Sequence, residues 1–592
     1  MCGIVGYIGK ENEISTLFYG LKKLEYRGYD SSGLAFFNGK NFKCVKSVGN
    51  MDRLKTKLNL SEKFSCGIGH TRWATNGAVI LENTHPVISQ SGEWILIHNG
   101  IIENAEELKQ RYKIETLGNT DSEIVANLLE KKIAGSSLEK IRDVCSELKG
   151  SWAFLILNRN EENRIYIAKR KSPIYFCDSE SGKLISSDPI CFPSKEYFSM
   201  YDNNIGFIEK DKIAVYDANL KLISPKKYIF KNKEELGNKG KYEHFMLKEI
   251  KETPERINKI CEKYTEDYLE KIFKKNILSS VKFIKIIGCG SAYHSGLMGA
   301  YYFRKNLRIE SEAYLASEYK SSRQVINKDD LFIFVSQSGE TADTIECLKM
   351  VRRRGAKTIV LTNVLESSMA KLSSVVLPIY AGPEIAVAST KAYSCQVAVF
   401  YILTKYFKKL LGEEIDFEKE KDKLLVAAEK ISDLNEEEIQ NISICCEKVF
   451  FLGKGKDYIT SLEASLKFKE ITYINSQCCP IGELKHGSLA VIDDCSKSLI
   501  FLSSKKLGKK VLNGVHEITS RKGKVLVISA FQGLVKTSDK VESYFLNCRG
   551  LSSETMPLVF TVFAQYLAYF NCIARNLNPD QPRNLAKSVT VE

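Results

Sequence analysis

One pattern occurs twice in the chain, an apolar strand followed by Gly-x-Gly-x-x-Tyr and a helix. This duplication restricts the fold more than any other feature. Phe283 to Ile287 runs into Gly288-Cys289-Gly290-Ser291-Ala292-Tyr293, and Phe450 to Leu452 runs into Gly453-Lys454-Gly455-Lys456-Asp457-Tyr458. The following strands recur at nearly the same offset. Leu331 to Val335 answers to Ser498 to Leu502, and Thr358 to Thr362 answers to Lys524 to Ser529. Apolar strands alternating with helices predict two α/β units, each a doubly wound parallel sheet. A dinucleotide site is rejected, because the third glycine and an acidic ribose-binding residue are both missing.

A length of 592 residues leaves room for a further domain in front of this pair. The hydrophobic share of 44% and charged share of 27% are those of a globular protein. The net charge of +14 comes from scattered lysines with no long basic block, which argues for a solvated surface and against a nucleic-acid partner. Seventeen cysteines without zinc spacing fit a reducing, cytoplasmic location, and no metal is expected. The pairs Cys445-Cys446 and Cys478-Cys479 read as packing. No signal-peptide apolar region opens the chain. Thr555 to Ala574 is uncharged and long enough to span a bilayer. Its Gln565 and Asn571, with Pro557 in the first turn, favour a buried core or subunit-interface helix, so no membrane partner is expected. The polar stretch Asn232 to Lys241 marks a linker.

The front of the chain carries a second kind of signal. Once Met1 is removed, Cys2 holds a thiol and a free α-amine on one residue. The amine titrates near ~8 and the thiol near ~8.5, so the amine can act as the base for its own nucleophile. Cys2-Gly3-Ile4-Val5-Gly6 then places that nucleophile at the start of a short strand. Leu17 to Leu24 reads as a helix with one apolar face, and Leu34 to Phe37 as a strand. In the loop between them, Arg27 either orders a site near Cys2 or belongs to a surface turn. In Gly69-His70-Thr71-Arg72-Trp73-Ala74-Thr75-Asn76-Gly77, Arg72 offers a fork for a carboxylate, and Trp73 covers a pocket or packs in a core. His70 and His85 read as structural, because Cys2 already carries its base. Trp94 to Ile97 is a buried strand ending in His98-Asn99-Gly100, where the Asn99 amide and Gly100 N–H make an oxyanion hole or simply a turn. Before a helix near Ile124 to Leu129, Thr120 or Asp121 supplies the cap, or Asp121 binds an ammonium group.

In the first repeat, Ser336-Gln337-Ser338-Gly339-Glu340-Thr341-Ala342-Asp343-Thr344 directly follows a strand. Hydroxyls and N–H groups at a helix start form a phosphate cradle, and the carboxyl end of a parallel strand is where ligands bind. The corresponding Ser503-Ser504-Lys505-Lys506 lacks the pattern, so only the first unit is predicted to bind phosphate. Glu463, Lys467 and Glu470 share one helical face, as a functional trio or as a solvated ion-pair ladder.

Together these stretches carry a family resemblance. Cys2-Gly3-Ile4-Val5-Gly6, Tyr26-Arg27-Gly28-Tyr29-Asp30-Ser31, His70-Thr71-Arg72-Trp73-Ala74-Thr75 and His98-Asn99-Gly100-Ile101-Ile102-Glu103-Asn104 resemble the N-terminal-nucleophile glutamine amidotransferases. The duplicated half resembles tandem sugar isomerase (SIS) domains. Further matches are Glu384-Ile385-Ala386-Val387-Ala388-Ser389-Thr390-Lys391, Gly482-Glu483-Leu484-Lys485-His486-Gly487 and the tail from Asp580 to Glu592. With them, almost the whole chain resembles the glutamine–fructose-6-phosphate aminotransferases (isomerising).

The resemblance implies an αββα Ntn-hydrolase sandwich over residues 2–225, a linker over 226–245, SIS domains over 246–420 and 421–581, and an active-site tail over 582–592. It implies L-glutamine and D-fructose 6-phosphate as substrates, no cofactor and a homodimer. Cys2 would attack the glutamine amide, with Asn99 and Gly100 holding the oxyanion and Arg27, Arg72, Trp73, Thr75 and Asp121 binding glutamine. Ammonia would pass through a dry channel gated by Trp73. Ser291, Ser336, Gln337, Ser338, Thr341, Glu384, Val387, Ser389 and Ala586 would bind the sugar phosphate. Lys587 would form a Schiff base with the C2 carbonyl, and His486, often from a neighbouring subunit, would open the ring. Glu470 would move the C1/C2 proton and Lys467 would support the enolamine charge. Asn76, Ala292 and Ser488 depart from the usual His, hydroxyl and Pro. An amidophosphoribosyltransferase would need a diphosphate loop that is not found, and a sugar-phosphate-sensing regulator would bring a helix-turn-helix.

Overall fold

The computed structural model describes residues 2–39, 41–74, 77–229, 238–273 and 277–589. The chain divides into two compact units, the first taking Met1–Asn238 with Ala586–Glu592 and the second Lys239–Leu585.

In the first unit, β1 (Gly3–Glu13), β2 (Ser31–Phe37) and β3 (Lys63–Arg72) belong to an eight-stranded sheet, and β4 (Trp94–Ile102) and β5 (Gly150–Asn158) to a seven-stranded one. The two faces of each strand go to different layers, because successive side chains point oppositely. Ile4 and Ile8 of β1 join Ile95 and Ile97 of β4 in the core between the sheets. Val5 and Tyr7 instead pack outward on Leu17, Phe18 and Leu21 of the helix Ser15–Lys23. Trp94 and Leu96 pack outward on Ile124, Val125 and Leu128 of α1 (Asp121–Lys131). Helix, sheet, sheet and helix therefore stack in the expected αββα order.

Two local expectations change. β4 does not stop at Ile97; it continues through Asn99 and Gly100 to Ile102, paired with β5 at Gly100↔Trp152. The Asn-Gly pair is in a strand because nine residues of cross-strand pairing outweigh its turn preference. Likewise Lys226–Ile229, placed in the linker by sequence, is an edge strand pairing with Glu196–Ser199. The polar stretch read as a linker overlaps residues 230–237, which lie outside the described residues.

The second unit holds two parallel five-stranded sheets of the same topology. β6 (Phe283–Gly288) lies between Glu310–Leu315 and β7 (Asp330–Ser336), followed outward by Lys357–Thr362 and Val375–Pro378. β8 (Lys448–Gly453) is likewise flanked by Gln477–Pro480 and β9 (Ser496–Leu502), then Lys524–Ser529 and Val541–Phe545. The strand order 2-1-3-4-5 puts a topological switch point between the first and third strand of each sheet, where α/β folds bind ligands. The duplication extends to backbone angles. Gly290 has φ 53° and ψ −126°, Gly455 has φ 62° and ψ −125°, and each precedes the first residue of a helix. The helices they open are α2 (Ser291–Leu307) and α5 (Lys456–Thr472). Most residues of the uncharged helix Met556–Ala574 are buried. Gln565 donates to the Thr390 carbonyl at 3.2 Å, and Asn571 accepts from the Ile444 amide at 2.9 Å. Its apolar surface is spent on the core of this unit, as its two amides suggested.

Candidate functional site

The first unit gathers its candidate residues around Cys2. Backbone bonds to side chains anchor the start of β1. The Gly3 amide donates to Thr71 Oγ1 at 3.2 Å and the Ile4 amide to Ser187 Oγ at 3.0 Å. A side chain at position 3 would meet Thr71 Oγ1 at 2.6 Å and Leu24 Cβ at 2.7 Å, so glycine is what lets the strand start this close to β3. The Trp73 amide points at Cys2 Sγ, 3.3 Å away. Burial pushes the Cys2 thiol above its ordinary pKa, and the N-terminal ammonium, the Trp73 amide and Arg72 pull back by less. The resting thiol is therefore protonated near neutral pH, and a nearby base must take its proton.

Asn99 Nδ2 donates to the Cys2 carbonyl at 2.9 Å, which brings the predicted oxyanion donor to the predicted nucleophile. Gly100 has φ +141°, and a Cβ there would sit 2.0 Å from the Ser151 carbonyl oxygen. Arg72 is buried and donates to the carbonyls of Gly77 and Ala78, each at 3.2 Å. Burial lowers its pKa, while Cys2, Asp30 and Asp121 raise it. Thr120 is the cap of α1, accepting from the Glu123 amide. Asp121 is thereby spared that task and accepts from the Ile102 amide at 2.8 Å. The Arg27 guanidinium is bonded to Asp188 and, at 3.1 Å, to the Tyr26 hydroxyl, so it ties its loop to the Ser186-Ser187-Asp188 strand end. Thr75 and Asn76 lie outside the described residues.

His70, His85 and His98 are all buried. Burial lowers all three pKa values, that of His70 to about 3. For His70 and His85 a neutral buried ring fits the structural role read from sequence. Below pH ~6.5 the unfolded chain protonates these rings while the folded chain does not, so stability is full above that pH and is lost as pH falls. For His70 the slope is about 1.4 kcal/mol per pH unit between ~6.5 and about 3. All three tryptophans, Trp73, Trp94 and Trp152, lie in this unit, so their fluorescence reports its unfolding. The urea midpoint is expected to fall clearly from pH 7 to pH 5, and an unchanged midpoint would contradict the neutral histidines.

The second unit assembles a different set. At the switch point of its first sheet, Ser336 Oγ lies 2.9 Å from Thr341 Oγ1 and accepts from the Gly339 amide at 3.0 Å. Gly339 has φ +66°, and a Cβ there would collide with Ser367 Oγ at 2.1 Å. The loop thus turns Gln337, Ser338 and Thr341 around the start of α3 (Ala342–Arg353). Glu384, predicted to bind the sugar phosphate, accepts from the amides of Thr390 and Ala392, each at 2.9 Å. It caps α4 (Lys391–Leu410), with Ser389 bonded to its other oxygen at 3.3 Å. Both residues hold the segment in place through each other. The Val387 amide donates to the Asp580 carbonyl at 3.0 Å.

In the trio on α5, Glu463 and Lys467 are buried and Glu470 is half-buried, so it is not a solvated ladder. Lys467 is 1% exposed; its Nζ lies 2.6 Å from Glu470 and 3.6 Å from Glu463. Burial alone would lower the Lys467 pKa, but Glu470 and Glu463 outweigh it and raise the value. The two repeats meet here. Glu463 accepts from Ser291 Oγ of α2 and also bonds His294 Nδ1, both at 2.8 Å. Sequence reasoning missed His294; its one signal was a spacing of three from Ser291 on the same helix. His486 is exposed at the end of the short helix Ile481–His486. Ala586 and Lys587 group with the first unit.

The second sheet's switch point is already occupied. Asp457 of α5 accepts from the Ser503 amide at 2.9 Å and from the Ser503 hydroxyl. Ser503 follows β9 as Ser336 ends β7, so a resident carboxylate takes the donors that a bound phosphate would use.

The comparisons agree with this division. A glutamine amidotransferase domain model matches residues 70–193, and a SIS domain model matches residues 277–406 and 443–534. Over their full lengths, the chain is 37% identical to the glutamine–fructose-6-phosphate aminotransferase [isomerizing] of Staphylococcus aureus (strain Mu50) and 36% identical to that of Fusobacterium nucleatum. Among solved structures, the C-terminal domain of glucosamine-fructose-6-phosphate aminotransferase from Francisella tularensis matches with a TM-score of 0.55 and 31% identity. That match spans 58% of this chain and all of that one.

Proposed function

Because the chain belongs to the glutamine–fructose-6-phosphate aminotransferase (isomerising) family, we propose a residue-level division of its reaction between the two units. The enzyme transfers the amide nitrogen of L-glutamine to D-fructose 6-phosphate and isomerises the product, giving D-glucosamine 6-phosphate and L-glutamate.

After loss of Met1, the Cys2 α-amine takes the thiol proton, and sulfur attacks the glutamine amide carbon. The Asn99 amide and the Gly100 N–H receive the developing oxyanion. Arg72 grips the α-carboxylate and Asp121 the α-ammonium of glutamine, with Trp73 and Thr75 completing the pocket. Arg27 orders the neighbouring loop. The observation that carries this half is the Asn99 amide aimed at the Cys2 carbonyl at 2.9 Å.

In the second unit, Ser336, Gln337, Ser338 and Thr341 hold the phosphate, and Ser291, Val387, Ser389 and Glu384 shape the sugar pocket. The family resemblance assigns Ala586 to sugar-phosphate binding. Glu470 moves the C1/C2 proton and Lys467 stabilises the enolamine charge. His486 opens the ring in a homodimer, and Lys587 forms the Schiff base. The resident Asp457 supports one phosphate site per chain. The location is cytoplasmic.

Two measurements test this half. Borohydride added with fructose 6-phosphate is expected to fix a sugar adduct on Lys587, located by peptide mass; an adduct elsewhere would overturn that role. Titration with fructose 6-phosphate is expected to saturate at one equivalent per chain and to weaken on Ser336→Ala, losing about one hydrogen bond to a charged group, ~1.5–3 kcal/mol. Two equivalents per chain would contradict the reading of Asp457.

A further inference from the structure

We propose that His70 is a positioning residue for the oxyanion hole: its Nε2–H holds the Asn99 side chain so that the amide N–H₂ faces the reacting carbonyl. This rests on the reading of Asn99 as the oxyanion donor.

The geometry leaves one consistent assignment of donors. His70 Nε2 lies 3.0 Å from the His98 carbonyl oxygen and 3.1 Å from Asn99 Oδ1. The His98 carbonyl can only accept, so Nε2 carries the proton. Asn99 Nδ2 meets the Cys2 carbonyl at 2.9 Å, and that oxygen too can only accept. Asn99 therefore turns Oδ1 to His70 and its two N–H bonds toward Cys2. A flipped amide would set its hydrogens against the His70 N–H and leave Oδ1 facing the developing negative charge, losing hydrogen bonds at both ends.

The rest of the ring's surroundings fits this single task. His70 is fully buried and 28 residues from its nearest bonded partner in sequence, so the contact is built by the fold. Nδ1 has no hydrogen-bond partner among the described residues. His85, whose ring centroid is 4.3 Å away, offers packing, and both its nitrogens are likewise without partners. Among the described residues the ring of His70 bonds only the His98 carbonyl and Asn99 Oδ1, and burial keeps it neutral, with a pKa of about 3. A neutral ring keeps a fixed donor without adding a cation that would compete for the oxyanion.

The test compares glutamine hydrolysis with alkylation of Cys2 by iodoacetamide in the full chain. Alkylation uses the same sulfur but develops no oxyanion, so it reports a merely disordered site. Asn99→Ala is expected to lower kcat by on the order of 10²–10³. His70→Leu is expected to lower kcat by roughly 10- to 100-fold, with KM and the alkylation rate within about twofold of the parent. Gln Nε2 reaches about as far as His Nε2, so His70→Gln should restore most of kcat. His70→Asn, whose amide stops at the Nδ1 position, should not. In the Asn99→Ala background, His70→Leu should add almost no further loss, because both act on one interaction. A parental kcat in His70→Leu overturns the proposal, as does a parallel loss of alkylation or full additivity with Asn99→Ala. Should His70→Leu fail to fold, the Gln and Asn variants decide, and equal kcat in both overturns the proposal. A parental kcat in Asn99→Ala removes the oxyanion reading itself, and the inference with it. Loss in Asn99→Ala alone removes only the role of His70.

Discussion

Cys2→Ala abolishes glutamine hydrolysis and glutamine-dependent hexosamine synthesis together, by at least about a thousandfold, since no other group can form the thioester. The structure explains why the loss is not shared out. Trp73, Thr71 and Asn99 converge on the Cys2 sulfur and on the backbone around it. The buried histidines stay neutral and are held by other contacts, so none can replace the nucleophile. The methyl of alanine fills part of the thiol's space at a strand start tied down by Gly3 and Ile4. Tryptophan fluorescence and the urea midpoint are therefore expected to stay near those of the parent, and fructose 6-phosphate should bind unchanged. Residual glutamine-dependent synthesis at a parental rate would reject Cys2 as the nucleophile.

Lys467→Met has the second large effect, and it is twofold. The ammonium sits between Glu463, which is fully buried, and Glu470. Its removal leaves two carboxylates facing an apolar side chain, a loss typically of ~3–5 kcal/mol when one member of a buried pair is deleted. Synthesis should fall by at least about a thousandfold, because the enolamine charge loses its counter-ion. Glutamine hydrolysis, located in the other unit, should persist. Glu470→Gln separates the two effects, since the amide still accepts from Lys467 but carries no transferable proton. That variant is expected to be as inactive in synthesis as Lys467→Met but less destabilised, since Glu463 keeps its charge beside the ammonium. Full synthesis in Glu470→Gln would remove its role as the proton carrier.

The parallel α/β layers of the second unit were legible because their causes are local, whereas the αββα order of the first was implied by the family resemblance. Alternation in Ile4 to Ile8 separates two faces of a sheet, and Gly-x-Gly after an apolar strand announces a tight turn into a helix. The repeat extends to matching backbone angles at Gly290 and Gly455. What was not legible depends on partners far along the chain. Nothing near Arg27 in sequence names Asp188 as its partner. Glu384 is named by its motif, but that its carboxylate sits on the amides that open α4 shows only in the fold. The uncharged helix Met556–Ala574 satisfies a membrane criterion by length and composition, and only its burial against the rest of the unit decides otherwise. Asp457 was noticed as part of the repeat, but its capture of Ser503 required two segments to meet. At Asn99-Gly100 a strong local turn signal lost to the pairing of β4 with β5.

The central claim is that nitrogen released at Cys2 ends on the ketose. Glutamine labelled with ¹⁵N in its side-chain amide, incubated with the full chain and fructose 6-phosphate, tests it directly by mass spectrometry of the products. The account predicts hexosamine 6-phosphate carrying the label at C2, formed in step with glutamate. Glutamate appearing with free labelled ammonium and no aminated sugar would contradict it.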